Sequence, residues 1–368
     1  MGALGPQAAR ATAALSAPKS VATSPRRTRC RRAGRARIGR IAGGWSIRSR
    51  TLPCPPIAQP TIPAPDAEAS LAIVGPYDFG RTLGPLAHGR GDPTIRIEAD
   101  RAWRATRTPD GPATEELARS GTTIRVRAWG PGASWAIAHA PELLGLADDP
   151  STFAPGHPLL DELARRYAGI RFGRTEAVLE ALVPAVLEQK ITGDEARRVY
   201  RALVRTHGEP SPGPFRLRLG PSGATLAGLP YYAFHPLGLE RRRAELLRTL
   251  GREAARLEAL VGLDPAVARA RLQAIPGIGP WTAGEVGRAA FGDPDAVSVG
   301  DYHLPSLVCW ILARERPGSD ERMLELLEPW RGQRGRVVRW LELGSADLAG
   351  LGPARRGPRM PSRSIAGL

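Results

Sequence analysis

"IPGIGPWTAGEV", residues 275–286, decides how the chain is read. Two glycines one residue apart, Gly277 and Gly279, are bracketed by Pro276 and Pro280 and lie between two segments of helical period. Upstream, "DPAVARARLQA" (264–274) opens with Asp264 as an N-cap and Pro265 at the first helical position. Downstream, "WTAGEVGRAAF" (281–291) reads as the next helix. Helix, Gly-x-Gly turn, helix is a hairpin. Glycine at such a turn lets backbone amides approach a phosphate, and the start of the following helix adds unpaired N–H groups and a favourable dipole. A grip of this kind reads nucleic-acid backbone rather than base sequence. Carbonyls left free at the end of the first helix suit a monovalent cation. The plain alternative is a helix–helix turn with no ligand.

A second pattern follows at "VSVGDYHLP" (297–305). Asp301 comes after an apolar, strand-like lead-in and a glycine, with Tyr302 beside it and a helix ahead. A carboxylate in this position is an N-cap or, close to a phosphate-holding hairpin, a group that faces a sugar.

Charge adds less than its sum suggests. The net charge is +16, but residues 1–65 hold 12 Lys/Arg and no Asp/Glu, and residues 351–368 add Arg355, Arg356, Arg359 and Arg363. The remaining 36 basic side chains balance all 36 acidic ones, so residues 66–350 are neutral. The basic balance belongs to the tails and says little about the core's partner. Cys30, Cys54 and Cys309 are too few for a disulfide framework or a four-cysteine cluster, which fits a reducing intracellular setting. The longest apolar run, "LVCWILA" (307–313), falls far short of the ~20 residues of a membrane span.

The chain divides into four parts. Residues 1–65 read as a disordered basic and Pro-rich tail. Their composition resembles a DNA-tethering arm, an organelle transit peptide or an extension upstream of the true start, and no function is assigned to them. From 66 to 150, "SLAIVGPY", "TIRIEADRAWRATRT" and "TTIRVRAW" predict strands, "PDGPA" a turn, and "PELLGLADDP" a helix and exit. From 151 to 350 the period is helical throughout, and 351–368 form a basic C-terminal tail. The expected fold class is α+β, with a small N-terminal antiparallel-sheet domain followed by an all-α domain. The Arg-rich, Lys-poor composition points to a GC-rich bacterial genome.

"LQAIPGIGPWTA" with "VSVGDYHLP" resembles the helix-hairpin-helix Gly-Pro-Asp superfamily of DNA glycosylases, and within it the 3-methyladenine DNA glycosylase II type. "FGRTEAVLEALVPAVLEQKITGDEA" (172–196) is similar to that family's segment leading to the DNA-intercalating loop, and "PYDFGRTL" (76–83) less specifically to its N-terminal domain. The resemblance covers about residues 70–345.

The resemblance implies the following roles. Asp301 is the essential carboxylate, stabilising an oxocarbenium-like sugar. Trp281 stands where bifunctional relatives carry a Schiff-base lysine, which implies base removal without strand cleavage. Trp281 and Tyr302 are the candidates for an aromatic wall facing a flipped, cationic base, an interaction worth about 0.5–2 kcal/mol; the plain alternative is that Trp281 seals the hairpin against the core and Tyr302 is structural. Gly277, Gly279, Thr282, Gln189 and Lys190 contact DNA, with Gln189 and Lys190 in the segment that fills the gap left by the base. The carbonyls of Gln273, Ile275 and Ile278 hold Na+ or K+. No other cofactor and no iron–sulfur cluster is implied. His303 reads as a solvated or capping residue, and Arg241, Arg242 and Arg243 as phosphate contacts or a surface helix face.

The expected partner is damaged double-stranded DNA, met by a monomer in the bacterial cytoplasm at the nucleoid, with alkylated purines as substrate. Two rivals stay open. A non-catalytic helix-hairpin-helix DNA-binding protein needs the hairpin but not Asp301, and a helical interaction scaffold needs neither. The glycosylase reading expects Asp301 to open into a cavity lined by Trp281, not to spend its carboxylate on capping its helix toward solvent.

Overall fold

The structure, a computed structural model, describes residues 63–353. The tail expected at residues 1–65 lies outside the described residues up to 62, as does the C-terminal tail from 354. Everything described belongs to one compact unit, Ile62–Leu368.

Five strands, β1 (Ala67–Ala72), β2 (Ile95–Ile97), β3 (Arg101–Thr108), β4 (Gly111–Ser120) and β5 (Thr123–Trp129), form an antiparallel sheet in the order β1-β5-β4-β3-β2. Two-residue turns join β3 to β4 and β4 to β5, since Thr108 pairs with Gly111 and Ser120 with Thr123. The central strand β4 carries no alternation that betrays it. It places two adjacent glutamates, Glu115 and Glu116, at 2% exposure. Burying a charge requires a partner, and the ladder supplies them: Glu115 faces Arg104, while Glu116 faces Trp103 and accepts from Trp103 Nε1 and Arg127 Nε.

A short helix, α1 (Phe79–Leu83), and α2 (Ala133–Leu143) join the sheet in one apolar core built on Phe79, Leu117, Ile124, Val126 and Leu144. The helix expected at "PELL" begins earlier, at Ala133, and carries Pro141 inside it. Its alanines make the close helix–sheet contact that "PELL" alone did not suggest.

Helix α3 (Pro158–Arg166) leads into α4 (Val178–Leu187) and α5 (Gly193–His207), the latter capped by Thr192. Eight of the ten residues of α4 are buried, as a helix apolar on nearly every face demands. Its first N–H groups have no local cap. Glu258, from a distant helix, accepts from Val178 N and Leu179 N at 2.8 and 2.9 Å. Short α6 (Gly223–Gly228) and α7 (Tyr231–Phe234) precede α8 (Arg241–Arg252) and α9 (Ala254–Glu258). The series ends with α10 (Pro265–Gln273), α11 (Pro280–Ala290), α12 (Leu304–Ala313), α13 (Asp320–Leu327) and α14 (Arg334–Asp347).

Residues 151–350 are not all helical, as the period had implied. A small hairpin, β6 (Glu209–Pro210) and β7 (Arg218–Leu219), interrupts them. Leu217 and Leu219 cover Trp103 and Ala105 on one face of the sheet. That apolar face needs a cover, and this excursion provides it. Among the described residues no helix is long and apolar enough to cross a membrane.

Two contacts position everything that follows. Arg104, 4% exposed, reaches from β3 to Glu115 at 3.1 Å and to Glu180 of α4 at 2.7 Å, tying sheet to helices. Thr106 completes the group by accepting from Arg104 and donating to Glu180. Second, α11 lies directly on the segment before Asp301. A Cβ at Gly284 would sit 2.7 Å from the Val297 carbonyl and 3.1 Å from Ser298 Cα. Glycine inside a helix costs about 1 kcal/mol relative to alanine, and this close approach is what requires it.

Arg104→Met leaves the buried Glu115 and the half-buried Glu180 without their cation, so it is expected to cost about 3–5 kcal/mol, read as a fall in the urea-unfolding midpoint. Gly284→Ala is expected to cost about 1–3 kcal/mol by forcing α11 off residues 297–298. The same unfolding curves check it.

Candidate active site

The turn between α10 and α11 is exposed at Pro276 and Gly277, with Ile278 anchored in the core at 4% exposure. Gly277 has φ +96, and an added Cβ would lie 3.1 Å from Leu246, so both conformation and space call for glycine. Gly279 differs. Its φ of −93 suits any residue, and nothing lies within 4 Å of where its Cβ would be. Its missing side chain therefore keeps the surface open. Among the described residues the N–H groups of Gly277 and Gly279 have no acceptor. With the first turn of α11 beside them, they form a cradle that can hold an oxyanion.

On the other side of the turn, the carbonyls of Gln273 and Ile278 accept no backbone N–H among the described residues, while that of Ile275 accepts from Ile278 at 3.0 Å. Three hard oxygen donors, two of them otherwise unspent, fit a monovalent cation.

Asp301 does two things at once. Its Oδ1 accepts from the backbone N–H of His303 at 2.8 Å and of Leu304 at 2.9 Å, capping the approach to α12. Its Oδ2 accepts from Trp281 Nε1 at 3.2 Å. The N–H of Gly300 donates to Asp320 Oδ1 at 3.0 Å, which pins the turn from behind. A carboxylate held on both oxygens does not have to reorganise when positive charge develops nearby.

Trp281, half-buried in the first turn of α11, thus directs its indole N–H at the carboxylate. Tyr302, expected as the second pocket wall, is 72% exposed and packs edge-on against His303. The capping turn commits residue 301 inward and leaves residue 302 facing solvent.

A cavity of about 70 Å³ lies between sheet and helices, walled by His88, Arg104, Glu180, Glu188, Tyr200 and Glu285 among others, and by neither Trp281 nor Asp301. It is one turn further along α11. Glu285, four residues past Trp281, accepts from Ser298 Oγ and pairs with Arg288 at 2.6 Å. Ser298 belongs to the segment that delivers Asp301, so Glu285 joins cavity and carboxylate. Glu285, ahead of the smaller effect of Glu342, holds the Arg288 guanidinium above its ordinary range. Burial, then the nearby Glu285, pushes the Glu188 carboxyl up, and burial pushes the His88 imidazole down.

Other expected contacts are placed differently. Gln189 Nε2 donates to the Gly277 carbonyl at 3.1 Å and to Thr282 Oγ1 at 2.9 Å, so it braces the hairpin from the α4–α5 turn. Thr282, expected at DNA, is 2% exposed, because the third residue of α11 faces α4. Lys190 is exposed at that turn in a left-handed conformation, φ +58. Arg241 and Arg242 are exposed, but Arg243 is 2% exposed and donates to the Leu187 carbonyl at 2.8 Å, so it meets protein rather than phosphate.

Gly284, Glu285, Ser298 and Glu188 went unread in the sequence. The Gly284–Gly287 spacing and the four-residue step from Trp281 to Glu285 were legible signals. Glu188 had none.

No protein-family model matches the chain. Over 179 residues, 46% of this chain, it is 32% identical to a probable bifunctional transcriptional activator/DNA repair enzyme AlkA of Mycobacterium tuberculosis, and the match spans 35% of that relative's length. In fold, it is similar to a 3-methyladenine DNA glycosylase from Archaeoglobus fulgidus, with a TM-score of 0.67 and 20% identity, covering 76% of this chain and 99% of that one. It is also similar to an 8-oxoguanine glycosylase/lyase of Clostridium acetobutylicum in complex with DNA, with a TM-score of 0.51 and 15% identity, covering 67% and 96%. The chain carries the fold of the helix-hairpin-helix DNA glycosylases, and in sequence it resembles the AlkA type.

Proposed function

We propose that the protein is a monofunctional DNA glycosylase that flips alkylated purines of the 3-methyladenine class out of double-stranded DNA and hydrolyses their N-glycosidic bonds in base excision repair. It acts as a monomer in the bacterial cytoplasm. The observation that carries this reading is the Asp301 carboxylate, held by Trp281 Nε1 in the first turn of the hairpin's second helix. A phosphate gripped by the Gly277 and Gly279 amides brings the sugar of a flipped nucleotide toward that carboxylate. Na+ or K+ on the Gln273, Ile275 and Ile278 carbonyls would add positive charge behind the phosphate. As the C1′–N bond breaks, the sugar becomes oxocarbenium-like and Asp301 stabilises it. An alkylated purine that already carries positive charge leaves without prior protonation.

The lyase question turns on one side chain. A fold shared with a glycosylase/lyase does not exclude strand cleavage. A Schiff base needs an amine, and position 281 offers an indole. The lysine of the described residues is Lys190, at the α4–α5 turn.

The capping of His303 and Leu304 by Asp301 favours the rival, a non-catalytic DNA-binding hairpin, and the substitution that separates the two is Asp301→Asn. Asparagine caps as well as aspartate but carries no charge. Methylated duplex DNA incubated with the natural protein is expected to release 3-methyladenine and 7-methylguanine, with strands intact until alkali is added. Asp301→Asn is expected to lower release by about 10²–10³-fold with its unfolding midpoint little changed. Absence of release from any alkylated, deaminated or oxidised duplex would leave the DNA-binding rival standing. Trp281→Phe keeps a ring but removes the N–H aimed at Asp301. It is expected to slow single-turnover release about tenfold with DNA affinity unchanged; a loss of affinity instead would make Trp281 a DNA contact.

A further inference from the structure

We propose that Glu188 is a second catalytic residue of this site, a carboxylic acid that gives its proton to a ring nitrogen of an uncharged damaged base seated in the cavity between sheet and helices. The inference rests on the glycosylase reading and extends it from cationic bases to neutral ones.

Three carboxyl groups line that cavity, and they are not equivalent. Glu180 is held by Arg104 at 2.7 Å and Thr106 at 2.8 Å. Glu285 is held by Arg288 and Ser298. Both have the partners an anion needs. Glu188, at the end of α4, has no donor among the described residues; burial and Glu285 oppose its negative charge, and Arg197 and Arg288 only partly offset them. It faces Glu285 and Arg288 from α11 and Arg197 from α5. Glu180 on its own helix, Arg104 from β3, Tyr200 from α5 and His88 from the loop before β2 share the cavity wall. Three carboxyls in one cavity, two paired and one not, divide into two carboxylates and a proton holder. The raised Glu188 carboxyl agrees with that division.

Position gives the proton a use. Trp281 touches Asp301, where the sugar belongs, and Glu285 on the cavity wall is one helical turn beyond, a rise of about 5.4 Å. A base extending from that sugar along α11 enters the cavity. The Glu188 proton passes to the base, the C1′–N electron pair leaves with the base, and water adds to C1′. The proton that water releases returns through solvent to the Glu188 carboxylate.

Single-turnover release of hypoxanthine and ethenoadenine, both neutral, is compared with release of cationic 7-methylguanine in the natural protein and Glu188→Gln. The variant is expected to lose about a hundredfold on the neutral bases and to stay within about twofold on the cationic one. In the natural protein, release of neutral bases falls as pH rises through the Glu188 transition, and that fall is absent in Glu188→Gln. Equal loss on both classes, no loss on either, or a natural protein that releases only cationic bases would overturn the assignment of Glu188 and leave the glycosylase reading intact. A natural protein that releases nothing overturns both.

Discussion

A guanidinium buried at the seam between sheet and helices organises the molecule. Arg104 has to find anions where water cannot reach it, and it finds Glu115 on the neighbouring strand and Glu180 on α4. Burial raises the Glu115 carboxyl even beside Arg104, so the group is held together by mutual need rather than by surplus attraction. Ion pairs of this kind add little net stability over an apolar core, but they permit few arrangements. The register of β3 on β4 and the position of α4 against the sheet follow from one side chain. The cavity opens at this seam, because a polar junction cannot be filled by the methyl groups that pack the helical core.

The second constraint is the approach of α11 to residues 296–298. Gly284 leaves room for the Val297 carbonyl and Gly287 for the Arg269 and Ala296 side chains, so helix and loop approach closely. Trp281 and Asp301, twenty residues apart, come within a hydrogen bond because of it. Arg288, further along the same helix, feels Glu285, Glu342 and Asp301 together. The carboxylate offered to a sugar is therefore part of a charge network running through α11 to α14, and its position depends on helix packing as much as on its own loop.

The arginines show why bulk charge is a poor guide here. Arg104, Arg243 and Arg336 are at most 4% exposed, each serving a carbonyl or carboxylate inside the protein. Arg336 also stacks over Phe172 at 4.6 Å. A planar guanidinium with five donors satisfies several buried acceptors at once, which a lysine cannot do. Basic residues spent in this way are not available to DNA, so the grip proposed for the hairpin relies on backbone amides.

Sequence alone determined what local spacing controls. The hairpin between Asp264 and Phe291, the cap at Asp264, the helical period and most strands were legible, because N-caps, helical period and strand alternation act over a few residues. What depended on distant partners was not. The strand carrying Glu115 and Glu116 makes sense only once Arg104 and Arg127 lie across from it. The start of α4 is capped by Glu258, some eighty residues away. Asp301 and Trp281 were each singled out in sequence, but their hydrogen bond, the outward turn of Tyr302, the burial of Thr282 and Arg243, and the meeting of Glu188 with Glu285 at one cavity were decided by tertiary packing. A side chain's type is written in the chain, whereas its solvent, its partners and hence its protonation are set by what the fold brings beside it.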